Sequence, residues 1–142
     1  MARRVRSAFR KLPDDVHHAL VNTRNMTSTG AYNKMTRQGL KPVTPIKTIR
    51  RMAKSASKRS GIPIKVTTDT FTRKHNNTEG TCARLYDTKT KKRRVEIHLH
   101  PILEYSHKTH VADVINHELD HAKVERRVIK HKNRKYEETW RR

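Results

Sequence analysis

The chain is short of most of what anchors a large fold. It has one cysteine, Cys82, in 142 residues, which excludes an internal disulfide and suits a reducing interior. Its four glycines form no glycine-rich stretch. Two Phe, four Tyr and one Trp, with 32% hydrophobic residues overall, can furnish the core of one small domain but not of two. No apolar run approaches the length of a transmembrane helix. No hydrophobic segment follows Arg3, Arg4 and Arg6, so a secretory signal is not expected, although the acid-free, Arg-rich stretch from Ala2 to Lys11 has the composition of an organellar transit peptide. There is no internal repeat, no zinc-finger spacing and no RNA-motif aromatic pair.

Acidic residues are scarce as well. Thirteen Asp and Glu stand against thirty-four Lys and Arg, a net charge of +21. The excess is uneven: residues 1–60 carry fifteen cations and two acids, a net of +13, and the remainder a net of +8. A field this positive favours polyanions, DNA or RNA ahead of an anionic membrane surface. It carries no information about base sequence.

The pattern predicts a basic, helical N-terminal arm over 1–43 and a compact domain over 44–142. Val5, Ala8, Phe9 and Leu12 fall at helical spacing, and Pro13-Asp14-Asp15 starts a second helix running to Asn22. Residues 25–43 read as irregular, punctuated by Ser28, Thr29, Gly30, Gly39 and Pro42. Thr44-Pro45 reads as a capping hydroxyl followed by a proline at the first helical position, and Gly61 as the stop. On the helix between them Ile46, Ile49, Met52, Ala53 and Ala56 form the apolar side, and Lys47, Arg50, Arg51, Lys54 and Lys58 the basic one. Arg3, Arg4 and Arg6 with these five cations are the candidate nucleic-acid contacts.

Three strands are then expected: from Ile62, with Ile64 and Val66 on the same side; from Cys82 to Asp87; and from Arg94 to His100. In the third, Val95, Ile97 and Leu99 face one way and Glu96, His98 and His100 the other, which lines His98 and His100 along a surface or a cleft wall.

The most specific signal is His117-Glu118-Leu119-Asp120-His121, an H-E-x-x-H motif inside a helical pattern. Positions four apart on a helix lie nearly above one another, so His117 and His121 can offer two imidazole nitrogens to one Zn²⁺. Glu118 falls between them and the apolar stripe of Val111, Ile115, Ala122 and Ile129, placed as general base toward the water that such a zinc activates. The bland alternative is a pair of surface histidines on a basic helix.

Catalytic zinc takes three protein ligands and keeps one position for water. Glu125 lies about 12 Å along the axis from His117, too far to share its metal. His131 is the favoured third ligand, because Lys130-His131-Lys132-Asn133 reads as a helix end where the chain folds back; Glu137 and Glu138 are the reserve. Tyr136, Tyr105 and His110 are candidate donors to the oxyanion, with Tyr136 the first choice.

Here the chain resembles a family. The strand Val95-Glu96-Ile97-His98-Leu99-His100-Pro101-Ile102-Leu103, a spacer, and then the H-E-L-x-H-A helix are similar to the SprT-like (Spartan-like) zinc metallopeptidase domain. Glu79-Gly80-Thr81-Cys82-Ala83-Arg84 resembles the turn and cysteine-bearing strand found there, and His131 followed by Tyr136 resembles the family's third histidine and its following aromatic. The likeness spans roughly residues 62–141. Two features depart from it: Lys132 stands where the family has glycine, and Tyr136 comes one residue late.

The resemblance implies an α+β, minimal zincin-like fold, a small antiparallel sheet packed on the H-E-x-x-H helix, with Zn²⁺ as cofactor. It also implies peptide-bond hydrolysis in proteins bound to or near nucleic acid, DNA ahead of RNA, in an intracellular setting. A basic nucleic-acid-binding or structural protein with a non-catalytic metal site is the alternative. Asp120 and the Glu-Gly-x-Cys segment also bear a weaker likeness to peptide deformylases, whose glycine-rich segment is missing here.

Overall fold

The computed structural model describes residues 12–71 and 78–141, the last ten of these by backbone alone. Among the described residues the fold is α+β, with four helices and one three-stranded mixed sheet. In chain order these are α1 (Asp14–Asn22), α2 (Ser28–Arg37), α3 (Ile46–Ser60), β1 (Ile64–Val66), β2 (Gly80–Asp87), β3 (Lys92–Leu99) and α4 (Lys108–Arg141).

The alternation in β3 sets the layering. Val95, Ile97 and Leu99 turn one face of the central strand toward α3 and α4, and all three are buried. β2 pairs antiparallel with β3, with Cys82 opposite Ile97, and Asp87 Oδ1 holds the turn between them by accepting from the Lys89 amide at 2.9 Å. β1 pairs parallel with the other edge of β3, with Ile64 also opposite Ile97. The sheet is therefore mixed, not antiparallel as expected: α3 feeds β1 into the sheet from the side, and Pro63 O and Leu99 O tie its two ends to β3.

α3 behaves largely as its sequence predicts. Ile49, Ala53 and Ala56 are buried, its five named cations are exposed, and Gly61 ends it with a left-handed φ of 73°. Thr44, however, is no cap. Its hydroxyl donates to Ser106 O at 2.6 Å and pins the helix entry to the segment before α4.

The stretch 25–43 is not irregular. Thr27 accepts from the Gly30 amide and caps α2, whose Ser28, Ala31 and Met35 are buried at helical spacing. Met35 packs with Val16, Ala19 and Tyr105 into a second apolar cluster. α1 and α2 therefore share buried contacts with the segment just before α4.

α4 departs most from expectation. It runs unbroken for 34 residues, through the segment 130–133 where an end was expected. Among the described residues no helix is long and apolar enough to cross a membrane.

Candidate metal centre

α4 is amphipathic in a way that sorts its side chains by direction. Val111, Val114, Ile115, Ala122 and Ile129 are buried against the sheet and α3. On the flank nearer β2, His117 and His121 are exposed, and Glu118 between them and the core is only 7% exposed. The two Nε2 atoms stand 3.1 Å apart, so the imidazoles converge on one point in front of the helix. With neutral rings one Nε2–H donates to the other nitrogen. With both nitrogens turned into acceptors, two tetrahedral Zn–N bonds would place them about 3.3 Å apart. The spacing of the pair is close to that distance, and each ring would have to turn its lone pair from the other nitrogen toward the ion.

β2 presses on this flank from the side. Residues facing each other across strands share a face, so Gly80, Cys82, Arg84 and Tyr86 point the same way as Leu99, Ile97 and Val95, toward α4. A Cβ on Gly80 would lie 2.9 Å from Val114 Cγ1 and 3.1 Å from Glu118 Cγ, so the strand touches the helix where the candidate base sits. Cys82 follows; burial first, and then the Glu118 and Glu125 carboxylates, push its thiol above the ordinary cysteine range. Next, Arg84 pairs with Glu125. Just before the strand, the Glu79 carboxylate meets the ring of His110, which is wholly buried, and Glu79 O accepts from the His100 amide at 2.8 Å. Glu79 and Gly80 are conspicuous in the sequence, but the register that puts them over α4 is a tertiary fact with no local signal.

The residues expected to supply a third ligand do not come back to the histidine pair. His131 is exposed on the same unbroken helix, about 15 Å along the axis from His121 at 1.5 Å per residue. Glu137 and Glu138 lie on the same helix, about 24–26 Å from His121 by the same rise, and Tyr136 about 22 Å away. Without a helix end there is no fold-back to bring any of the four to His117 and His121. The side chains of Tyr136, Glu137 and Glu138 lie outside those described. Among the described residues no group of three or more His, Cys, Asp or Glu is arranged to hold a metal ion.

The other candidate donors are occupied elsewhere. His110 is bound to Glu79, and Tyr105 is buried in the second cluster with its hydroxyl toward Leu40 O. His98 and His100 do not line a cleft wall together either. His98 bonds to Glu96 at 3.1 Å and to Thr70. His100 is fully buried, its Nδ1 accepting from the Ile102 amide, which leaves Nε2–H to donate to Thr29 at 2.9 Å. Burial lowers its pKa to about 4.

On the opposite flank α4 carries only cations from Ala122 to Lys130: Lys123, Arg126, Arg127 and Lys130. Arg126 donates to Ser60 O at 2.7 Å and joins this flank to the end of α3. Lys47, Arg50, Arg51, Lys54 and Lys58 line the exposed side of α3, a helix with no acidic residue. Arg3, Arg4 and Arg6 lie outside the described residues. Comparison of the chain with protein-family models, with curated proteins and with solved structures finds no match.

Proposed function

We propose that this protein is a zinc-dependent, zincin-like metallopeptidase of SprT-like character, acting inside the cell on proteins bound to or near nucleic acid. The convergence of the His117 and His121 nitrogens beside a buried Glu118 carries the reading. A zinc ion held there would supply a Lewis acid for the scissile carbonyl and a water with its pKa lowered to about 7. His117 and His121 would hold and orient that ion from one helix face. Glu118, packed beside Gly80, would take the proton from the attacking water and return it to the leaving amine. A third protein ligand is not among the described side chains, so the proposal rests on the pair and the base.

The basic side of α3 and the cationic flank of α4 supply contacts for a phosphate backbone, away from the histidine flank. The preference for DNA comes only from the SprT-like resemblance. The same cations support a second reading, a nucleic-acid-binding protein whose metal site performs no chemistry.

The test is metal content by mass spectrometry on nucleic-acid-free protein, for the wild type, His117→Ala and His121→Ala. Cleavage of a DNA-binding protein substrate by the wild type and Glu118→Gln follows, with and without DNA. Zinc near one per chain, lost in both histidine variants, with cleavage lost in Glu118→Gln, is the expected result. Zinc without any cleavage selects the second reading, and no zinc after reconstitution overturns both metal readings.

A further inference from the structure

The flank of α4 that bears the histidines does not end with them. His117, His121, Val124 and Val128 follow one another at intervals of four, three and four residues, a single stripe of the helix. All four are exposed, with Val124 at 56% and Val128 at 42%. β2 runs beside this stripe: Gly80 touches Val114 and Glu118, Arg84 reaches Glu125, and Tyr86, 56% exposed, comes level with Val128. There the strand and the helix enclose an open cavity of about 130 Å³ lined by Arg84, Leu85, Tyr86, Arg93, Val128 and Ile129.

We infer that this groove is a docking subsite for an apolar side chain of an extended, acidic polypeptide, the substrate of the proposed peptidase, on which reading the inference rests. Three observations select that occupant. The cavity is below the range of about 300–1,000 Å³ that holds a small-molecule ligand, but it admits one side chain. Six lining residues are far fewer than the roughly 20–30 a side of a stable protein interface, and a net charge of +21 opposes a second copy of the chain. The same net charge favours acidic residues flanking the apolar one.

The reach also matches. Val128 lies about 10 Å along α4 from His121, the span of roughly three extended residues. Among the described residues β2 pairs only with β3, which leaves its outer edge for the incoming strand.

The experiment uses full-length Glu118→Gln protein and a fluorescent, capped octapeptide with a single leucine among Asp and Glu. Binding is read by anisotropy at physiological salt. The double substitution Val124→Ser with Val128→Ser should weaken binding about tenfold or more, as should replacing the peptide leucine by asparagine, and the two effects should not add. Val21→Ser, an equally neutral change at an exposed valine on α1, should leave binding intact. Unchanged binding in the double variant, additive effects, or an equal weakening in Val21→Ser overturns the subsite. Cleavage by otherwise wild-type protein separates the two ideas. A peptide that binds through the groove but is never cut sinks the peptidase and leaves the groove a peptide-binding site. A peptide cut with the same KM by the double-serine variant sinks the groove and leaves the peptidase standing.

Discussion

Gly80→Ala is the sharpest perturbation this packing offers. Gly80 has no left-handed φ, so its backbone accepts alanine, and the new methyl must find room in the fold. It would lie 2.9 Å from Val114 Cγ1, 3.1 Å from Glu118 Cγ and 3.5 Å from Leu99 Cδ2. Val114 is fully buried and β-branched, with one strongly preferred rotamer in a helix, so it cannot swing aside. Glu118 can rotate, or α4 must back away from β2. Overpacking of this kind costs about 1–3 kcal/mol. The reduced backbone freedom of the unfolded chain returns about 0.4–1 kcal/mol. The net is a destabilisation of roughly 0–2.6 kcal/mol, centred near 1.3 kcal/mol, or a fall in Tm of about 4 °C for a chain of this length.

Urea unfolding of Gly80→Ala, Val114→Ala and the double variant measures this directly. Val114→Ala alone opens a cavity beside the strand, and in the double variant the methyl introduced by Gly80→Ala occupies part of it. The double variant should therefore be more stable than the sum of the single effects by at least about 0.5 kcal/mol. Gly80→Ala should also lower any turnover that depends on Glu118 while leaving metal content unchanged. A Gly80→Ala protein as stable as wild type, with additive behaviour in the cycle, would show that β2 does not press on α4 at this point.

Three further outcomes follow from the same geometry. His131→Ala should keep the metal stoichiometry and affinity of the wild type, whereas His117→Ala should lose both; loss of metal in His131→Ala would mean that α4 breaks before residue 131. His100 has a folded pKa of about 4, below its ordinary 6.5, so the unfolded chain binds the extra proton first. Its contribution is therefore whole above pH 6.5 and lost as the pH falls toward 4, on the order of 3 kcal/mol, and urea titrations of wild type and His100→Gln should converge across that window. Equal pH slopes in the two proteins would contradict this. Replacing Lys47, Arg50, Lys54 and Lys58 by alanine should flatten the dependence of log K on log salt for duplex DNA by about 0.9 for each phosphate no longer neutralised, and an unchanged slope would remove α3 from the interface.

Where local periodicity carries the information, the sequence is readable. β3 alternates cleanly, and Val95, Ile97 and Leu99 are buried as that alternation requires. α3 has its apolar and basic sides and its glycine stop as predicted. His117 and His121 converge because four-residue spacing on a helix leaves little choice. What is not legible depends on partners distant in sequence. Thr27-Ser28-Thr29-Gly30 contains the residues of a loop, yet the same residues cap a helix when Met35 has Tyr105 and Val16 nearby to bury it. His100 resembles the next polar position on a strand face, and only the arrival of α2 and Phe71 over that face buries it.

The misread helix end has a different origin. Lys130-His131-Lys132-Asn133 reads as a helix end because it is polar and densely charged. Polarity alone does not stop a helix. The strongest stop signals are a glycine that turns left-handed and a proline that removes the amide, and neither occurs between Gly80 and Arg142 except Pro101, before α4 begins. Lysine and arginine are also good helix formers, so a basic run does not by itself break a helix. With α4 unbroken, a third protein ligand cannot come back along the helix from downstream. On the proposed reading, any third ligand would have to approach the histidine pair across the β2 side or from the solvent-facing side of α4.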